Sequence, residues 1–141
     1  MGCCCSKLER RARNEKFHEG QQIIAKEIFW ANLRYQRNTG CCQVQGNGAL
    51  ILTSDVLWFN LLCPNKQIEM PLRNIRSVEA AFNINPVLIV DYVDANSGME
   101  DQVIFALREP HFWKRMTEEA IYNMSSQLNN PGYKFAERNT K

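Results

Sequence analysis

The sequence predicts an α+β protein: a small β-barrel or sandwich of six or seven antiparallel strands, capped by a C-terminal helix and preceded by an N-terminal amphipathic helix. Short apolar stretches with a period of two residues fill the middle of the chain, separated by turn residues. A helical apolar period replaces them near the C-terminus. With 141 residues, 45% of them hydrophobic and 23% charged, the chain fits one globular domain with a short appendage.

The N-terminal amphipathic helix is predicted over residues 17–38. Apolar residues recur there at spacings of three, four or seven, with polar residues between them. They are Phe17, Ile24, Ile28, Ala31 and Tyr35. We expect this helix to pack on the domain that follows. An interfacial helix with Trp30 at the membrane surface, or a helix that binds a partner, are the alternatives.

Six strands are predicted, at residues 49–53, 56–62, 66–72, 75–82, 87–93 and 102–107. Turn residues bound them, such as Gly46-Asn47-Gly48 before the first strand and Ser54-Asp55 between the first two. Leu50 and Leu52 share one side of the first strand, so one face of the sheet should lie in a core.

A C-terminal helix is predicted from Pro110, which suits a first helical turn, to about residue 128. One side of it is apolar and carries Phe112, Trp113, Met116, Ala120, Ile121 and Met124. The chain is therefore predicted to divide into four parts. They are a basic lipidated segment (1–16), the amphipathic helix (17–38), the folded domain (39–127) and a flexible tail (128–141).

Three stretches between residues 41 and 126 resemble GRAM and related PH-like domains. GALILTSDVLWF (48–59) is similar to the hairpin pattern G-x-L-x-L-T-x-x-x-L-x-F of these domains. IEMPLRNIRSV (68–78) resembles I-P-L-x-x-I-x-x-V, with Met70 in place of its first Ile, and QVIFALREPHFW (102–113) resembles the last strand and the start of the helix. The resemblance implies a PH-like fold, and lipid-headgroup recognition as the function to test.

The N-terminus, Met1-Gly2-Cys3-Cys4-Cys5-Ser6, matches the M-G-x-x-x-[ST] pattern for N-myristoylation of Gly2. The modification needs the glycine amine that removal of Met1 exposes, in a eukaryotic cell. The head resembles the dually acylated termini of Src-type kinases and G-protein α subunits. It is predicted to place the chain on the cytoplasmic face of a plasma membrane or endomembrane, as a peripheral protein.

A second membrane signal is needed, because one myristoyl chain binds membranes only marginally. The thiols of Cys3, Cys4 and Cys5 are candidates for S-palmitoylation. Five basic residues against two acidic ones over residues 1–16 would add attraction to anionic lipids. These membrane-electrostatic residues are Lys7, Arg10, Arg11, Arg13 and Lys16.

No secretory signal or membrane-spanning apolar run is expected from the sequence, so the six cysteines should be reduced. No metal site, cofactor or catalytic centre is predicted. The two histidines, His18 and His111, have no orienting partner in view, and His111 should lie on the surface. Nucleic-acid binding is not expected, because no aromatic-studded basic face is visible.

A phosphoinositide pocket would need basic residues near the first loop of the domain. The chain has no Lys or Arg from Asn38 to Asn65, and only Lys66, Arg73 and Arg76 could form a weaker headgroup patch. The function predicted first is therefore a membrane-tethered, non-catalytic adaptor whose folded domain binds an unknown protein partner. The alternative is a PH/GRAM-like module that reads membrane headgroups directly.

Overall fold

The computed structural model describes residues 16–17, 21–39, 43–61, 66–82 and 85–128. These residues form eight β-strands, one 3-10 helix and one α-helix. The strands are β1 (Lys16–Phe17), β2 (Gln21–Gln36), β3 (Gly46–Thr53), β4 (Val56–Leu61), β5 (Lys66–Pro71), β6 (Ile75–Ala81), β7 (Val87–Val93) and β8 (Glu100–Ala106). The 3-10 helix spans Leu72–Asn74, and the α-helix α1 spans Pro110–Leu128.

The six predicted strands are confirmed as β3 to β8, and the predicted C-terminal helix is confirmed as α1. The expected tight connection between β3 and β4 is also present. There the hydroxyl of Thr53 accepts hydrogen bonds from the backbone N–H groups of Asp55 (3.2 Å) and Val56 (3.1 Å). These bonds hold the chain in a turn and fix the register of the hairpin.

All strand pairs are antiparallel, and the order across the sheet is β5-β4-β3-β2-β8-β7-β6, with β1 paired to the start of β2. The long strand β2 joins two halves of the sheet, a first half formed by β3, β4 and β5 and a second half formed by β6, β7 and β8. It pairs with β3 from Ile23 to Leu33 and with β8 from Asn32 to Gln36. The strands β5 and β6 lie at the two ends of the order and do not pair, so the sheet is not closed among the described residues.

The predicted N-terminal amphipathic helix is wrong for the described part of that segment, because residues 21–36 form the strand β2. The error has a physical origin. The pairing of β2 slips between Ile23 and Ala25, between Glu27 and Ala31, and between Leu33 and Tyr35. Each extra residue at a bulge breaks the two-residue alternation of a strand. The interrupted alternation then mimics the three- and four-residue spacing of a helix.

The main core lies between the two halves of the sheet and α1. The inward faces of β3, β4 and β8 contribute fully buried side chains such as Leu50, Phe59 and Phe105. The rings of Phe59 and Phe105, from opposite halves, lie 4.9 Å apart between centroids. From α1, Trp113 and Ile121 enter the same core. Burial of these aromatic and aliphatic groups is the main stabilisation of the fold.

A second, smaller apolar cluster lies on the opposite face of β3 and β4. It consists of Ala49, Ile51 and Trp58, all fully buried, with Ile23 and Ile28 of β2 packed against them. Alternation along a strand places these side chains opposite to the main core. This half of the sheet is therefore buried on both faces, which accounts for the nearly continuous apolar sequence of β3 and β4.

The helix α1 covers the outer strand β6. The ammonium of Lys114 donates a hydrogen bond of 3.1 Å to the backbone oxygen of Val78 and forms an ion pair of 3.0 Å with Glu118. An edge strand exposes unpaired backbone groups that can recruit other strands. Lys114 satisfies one of these groups from within the chain.

Candidate interaction surface

One polar network lies where β2 ends and β8 begins. The amide of Gln36 donates to Oδ2 of Asp101 at 2.9 Å, and the hydroxyl of Tyr92 donates to the same oxygen at 3.0 Å. The other carboxylate oxygen, Oδ1, accepts from the backbone N–H groups of Asn38 (3.0 Å) and Gln102 (2.8 Å). A single buried carboxylate thus joins β2, β7, β8 and the loop after β2.

These contacts set the protonation of the network. Burial alone would raise the pKa of Asp101, but the four hydrogen bonds from Gln36, Asn38, Gln102 and Tyr92 outweigh it, and the pKa lies below its ordinary value. The pKa of Tyr92 is raised by burial and by the negative charge of Asp101. Asp101 is therefore ionised and Tyr92 neutral at physiological pH, so the arrangement is a structural acceptor network.

A cleft of about 250 Å³, which we call the polar cleft, opens beside this network. It is lined by Arg37, Arg76, Ser77, Asp91, Tyr92, Glu100 and Asp101. Asp91 accepts hydrogen bonds from the Ser77 hydroxyl (2.9 Å) and from the Gln102 amide (2.8 Å). Two arginines face three carboxylates, so the cleft does not offer the surplus positive charge that a polyphosphorylated headgroup requires.

A second cleft, of about 220 Å³, lies where β2 diverges from the end of β8. We call it the Trp30 cleft. It is lined by Trp30, Arg34, Asn85, Pro86, Ala106, Leu107 and Arg108. The indole of Trp30 is 58% exposed, and the guanidinium carbon of Arg108 lies 5.0 Å from its ring centroid, within cation–π range.

An exposed aromatic pair links the end of β6 to the first turn of α1. Phe82, which follows β6 and is 54% exposed, stacks on His111 in the first turn of α1, with 5.0 Å between ring centroids. The predicted surface position of His111 is confirmed, since its side chain is exposed. The stacked ring contact gives His111 a packing role.

The predicted lipidation residues Gly2, Cys3, Cys4 and Cys5 lie outside the described residues, and so does His18. The same holds for the basic residues Lys7, Arg10, Arg11 and Arg13. Lys16 is the first residue of β1. Their proposed roles stay predictions from the sequence.

The predicted headgroup patch falls into two parts. Arg73 and Arg76 are neighbours, and a guanidinium nitrogen of Arg76 donates to the backbone oxygen of Arg73 at 3.2 Å. Lys66 begins β5, and Arg73 lies just beyond the other end of that strand, whose two ends are roughly 17 Å apart. Arg76 instead lines the polar cleft together with Arg37. Headgroup binding by these residues remains a prediction.

The Trp30 cleft was missed by the sequence analysis. In the predicted helix, Trp30 belonged to the face that packs on the domain or, in the alternative, lay at the membrane surface, and no role was predicted for Arg34 or Arg108. Once β2 is treated as a strand, Trp30 and Arg34 become outward positions that flank the buried Ala31 and Leu33. Predicting β2 as a strand would therefore have placed Trp30 and Arg34 on one exposed face and indicated the Trp30 cleft.

The described residues contain no cluster of three or more His, Cys, Asp or Glu side chains arranged to hold a metal ion. In the same residues, no helix combines the length and the apolar character that crossing a bilayer requires.

No family model and no curated protein matches the chain. Solved structures do match. The N-terminal PH domain of Vps36 has a TM-score of 0.58 at 18% identity, covering 81% of this chain and 91% of that chain.

Two other solved structures are similar at lower scores. Human RhoA in complex with the DH/PH fragment of PDZRHOGEF gives a TM-score of 0.54 at 12% identity, over 73% of this chain and 29% of that chain. The 8S snRNP assembly intermediate gives 0.52 at 10% identity, over 84% and 90%. Identities this low show the fold and nothing beyond it. The chain therefore has a PH-like fold, an open antiparallel sheet in two halves with one C-terminal helix.

Proposed function

We propose that this chain is a membrane-tethered, non-catalytic adaptor. N-myristoylation of Gly2 and S-palmitoylation of Cys3, Cys4 and Cys5 would hold it on the cytoplasmic face of a membrane, where its PH-like domain binds a protein partner. PH-like folds are generally non-catalytic modules that bind lipids or proteins. Attachment to the membrane would raise the local concentration of the domain beside partners on the same surface.

The charge of the polar cleft is the observation that favours a protein partner. With Arg37 and Arg76 opposed by Asp91, Glu100 and Asp101, the cleft carries a formal charge of −1. Phosphate groups bind where several cations converge without competing carboxylates. Proteins present both signs of charge, so a mixed cleft suits a protein surface better than a headgroup.

The anchor is supported by the sequence. One myristoyl chain gives an association constant of only about 10⁴ M⁻¹, so a stable anchor needs a second signal. Three adjacent thiols and five nearby basic residues supply two kinds of second signal. Because Gly2 and the three thiols precede the folded domain in the chain, attachment by acyl groups does not require the domain to bind lipid.

Intact-mass analysis of the chain from its native cell tests the anchor. We expect a myristoyl mass on the N-terminal peptide, and thioester-linked palmitoyl masses that hydroxylamine removes. A Gly2→Ala variant should lose the myristoyl mass and become soluble on fractionation. An N-terminal peptide without any acyl mass would refute the anchor.

Liposome flotation separates the adaptor from a module that reads headgroups. The full chain carrying Gly2→Ala, with Cys3, Cys4 and Cys5 changed to Ser, is mixed with vesicles of different phosphoinositide content. We expect weak flotation that does not depend on headgroup identity. Strong, composition-dependent flotation that Arg73→Glu and Arg76→Glu abolish would support headgroup reading and contradict the adaptor.

A further inference from the structure

The Trp30 cleft has the composition of a protein-binding hot spot. Trp30 is exposed over more than half of its surface, although tryptophan is on average a highly buried residue. Arg108 lies against its ring and Arg34 lines the same cleft. Tryptophan and arginine are the residues most enriched among those that dominate binding energy.

The backbone is distorted where it presents these residues. The pairing of β2 with β3 slips between Glu27 and Ala31, which leaves Trp30 out of the regular register. The pairing with β8 slips between Leu33 and Tyr35, so that Arg34 is the extra residue of a bulge. Bulges re-aim side chains and recur next to functional sites. Two of them flank this cleft.

The charge of the cleft has one sign. Among the described residues, Arg34 and Arg108 are the only ionisable ones that line it, and neither forms an ion pair with another of those residues. The adjacent residue Glu109 is exposed and does not line the cleft. Two unpaired guanidinium groups beside an apolar ring are complementary to carboxylates next to an apolar side chain.

An apolar surface continues from the cleft across the outer face of the second half of the sheet. Ala106 of the cleft pairs with Val87, and the next outward pair on the same two strands is Ile104 with Ile89. Paired residues share a face, and all four are only partly buried. A bound segment could place apolar side chains on these residues while its carboxylates contact the arginines.

We propose that the Trp30 cleft binds an acidic, partly apolar peptide segment of a protein partner. The inference rests on the proposed adaptor function and names the chemistry of the partner. A flat anionic membrane fits less well, because the site is concave and two cations contribute only about 1 kcal/mol each at a membrane surface.

The test begins with selection of a random peptide library on the full chain of 141 residues. We expect the selected peptides to be enriched in Asp and Glu beside aliphatic residues. Binding of a selected, fluorescently labelled peptide is then measured by anisotropy. Arg34→Glu and Arg108→Glu should each weaken binding by about tenfold or more, and Trp30→Ala should weaken it by a similar factor.

The matched control is Arg115→Glu, which reverses the charge of an exposed arginine of α1 that lines neither cleft. Circular dichroism of each variant checks the fold. Selection without acidic enrichment, or equal affinity for the wild type and the Arg34→Glu and Arg108→Glu variants, overturns the inference. It is also overturned if vesicles of phosphatidylserine and phosphatidylcholine bind through Arg34 and Arg108 while no acidic peptide does.

The two proposals can fail separately. Acidic peptides that bind the Trp30 cleft of a chain with no acyl mass would leave this inference standing and refute the anchor. An acylated chain that selects no acidic peptide would keep the anchor and refute the cleft as a peptide site.

Discussion

Oδ2 of Asp101 accepts two hydrogen bonds, from the Tyr92 hydroxyl at 3.0 Å and from the Gln36 amide at 2.9 Å. The two donors belong to β7 and β2, and Asp101 belongs to β8. One carboxylate oxygen therefore connects three strands of the sheet at the polar cleft. Loss of its charge should affect the stability of the whole domain.

Asp101→Asn tests this connection. The amide that replaces the carboxylate can point its N–H₂ group at the Gln36 and Tyr92 donors, which removes both hydrogen bonds. In the other orientation its oxygen accepts both bonds, but it is neutral and therefore a weaker acceptor. We expect the free energy of unfolding to fall by about 2–3 kcal/mol, since hydrogen bonds to charged groups contribute about 1.5–3 kcal/mol. Urea denaturation followed by circular dichroism measures it.

Glu100→Gln is the matched control for Asp101→Asn. It removes a carboxylate from the adjacent residue, which is exposed and whose side chain makes no hydrogen bond within the described part of the chain. Its effect should stay within about 0.5 kcal/mol. Equal losses for the two variants would show that charge alone, and not the network, is responsible.

The stability of the domain should depend on pH through the same residue. The pKa of Asp101 is lower in the folded chain than in the unfolded chain, where it is about 3.9. The stabilisation is therefore complete above the unfolded pKa and is lost as pH falls from there through the folded pKa. Urea midpoints measured from pH 7 downward should fall more steeply for the wild type than for Asp101→Asn. Parallel curves would contradict the assignment.

Gly48 lies where no larger residue fits. A Cβ atom at this position would contact the backbone oxygen of Asn60 and approach the Phe59 ring to 2.6 Å. We expect Gly48→Ala to destabilise the domain by about 1–3 kcal/mol through overpacking. Thermal unfolding by calorimetry would measure the loss.

Gly98→Ala provides the comparison for Gly48→Ala. Gly98 has φ +73° and nothing within 4 Å of an added Cβ, so its cost is conformational, roughly 1 kcal/mol. If Gly48→Ala lowered the stability less than Gly98→Ala, the close approach of Gly48 in β3 to Phe59 and Asn60 in β4 would be contradicted.

Two nearby residues of β2 should differ strongly in how much their substitution by Ala destabilises the domain. Leu33 is fully buried in the main core, and Leu33→Ala should cost about 2–5 kcal/mol. Trp30 points outward, and Trp30→Ala should cost less than about 1 kcal/mol, mostly its contact with Arg108. Chemical denaturation of both variants measures the contrast. Similar costs would be inconsistent with the inward and outward positions assigned to these residues.

The contact between α1 and β6 can be tested through Lys114. Lys114→Met removes its hydrogen bond to the Val78 oxygen and should destabilise the domain by about 1 kcal/mol. Glu119→Met, at an exposed position of the same helix, should have little effect. Urea unfolding of both variants gives the difference. A neutral Lys114→Met would mean that water satisfies the Val78 oxygen equally well.

Much of the fold could be predicted from the sequence because β3 to β8 are short and bounded by turns. In β4, Leu57 and Phe59 enter the main core while Trp58 enters the second cluster, so local patterning matches the final structure. In β2 it does not. One of its two pairing partners, β8, lies far along the chain, and three register slips remove the alternation that would have identified β2 as a strand.

The two clefts could not be predicted, because they depend on that strand. Arg37 lines the same cleft as Arg76 only because the end of β2 lies beside β8. Trp30 contacts Arg108 only because β2 continues beyond the end of β8. The basic residues that sequence reasoning selected, Lys66, Arg73 and Arg76, were chosen by charge. Charge alone does not show which residues lie together in space.

The position of β2 also governs the order in which the protein can be completed during synthesis. This strand leaves the ribosome before β3, β4 and β5, but β8, on its other side, follows all the remaining strands. The pairing of Asn32 with Ala106 closes nearly the whole domain into one loop, the kind of distant contact that slows folding. A nascent chain that ends before β8 leaves the last residues of β2, Asn32 to Gln36, without their partner strand, so any truncation there yields an unfinished sheet.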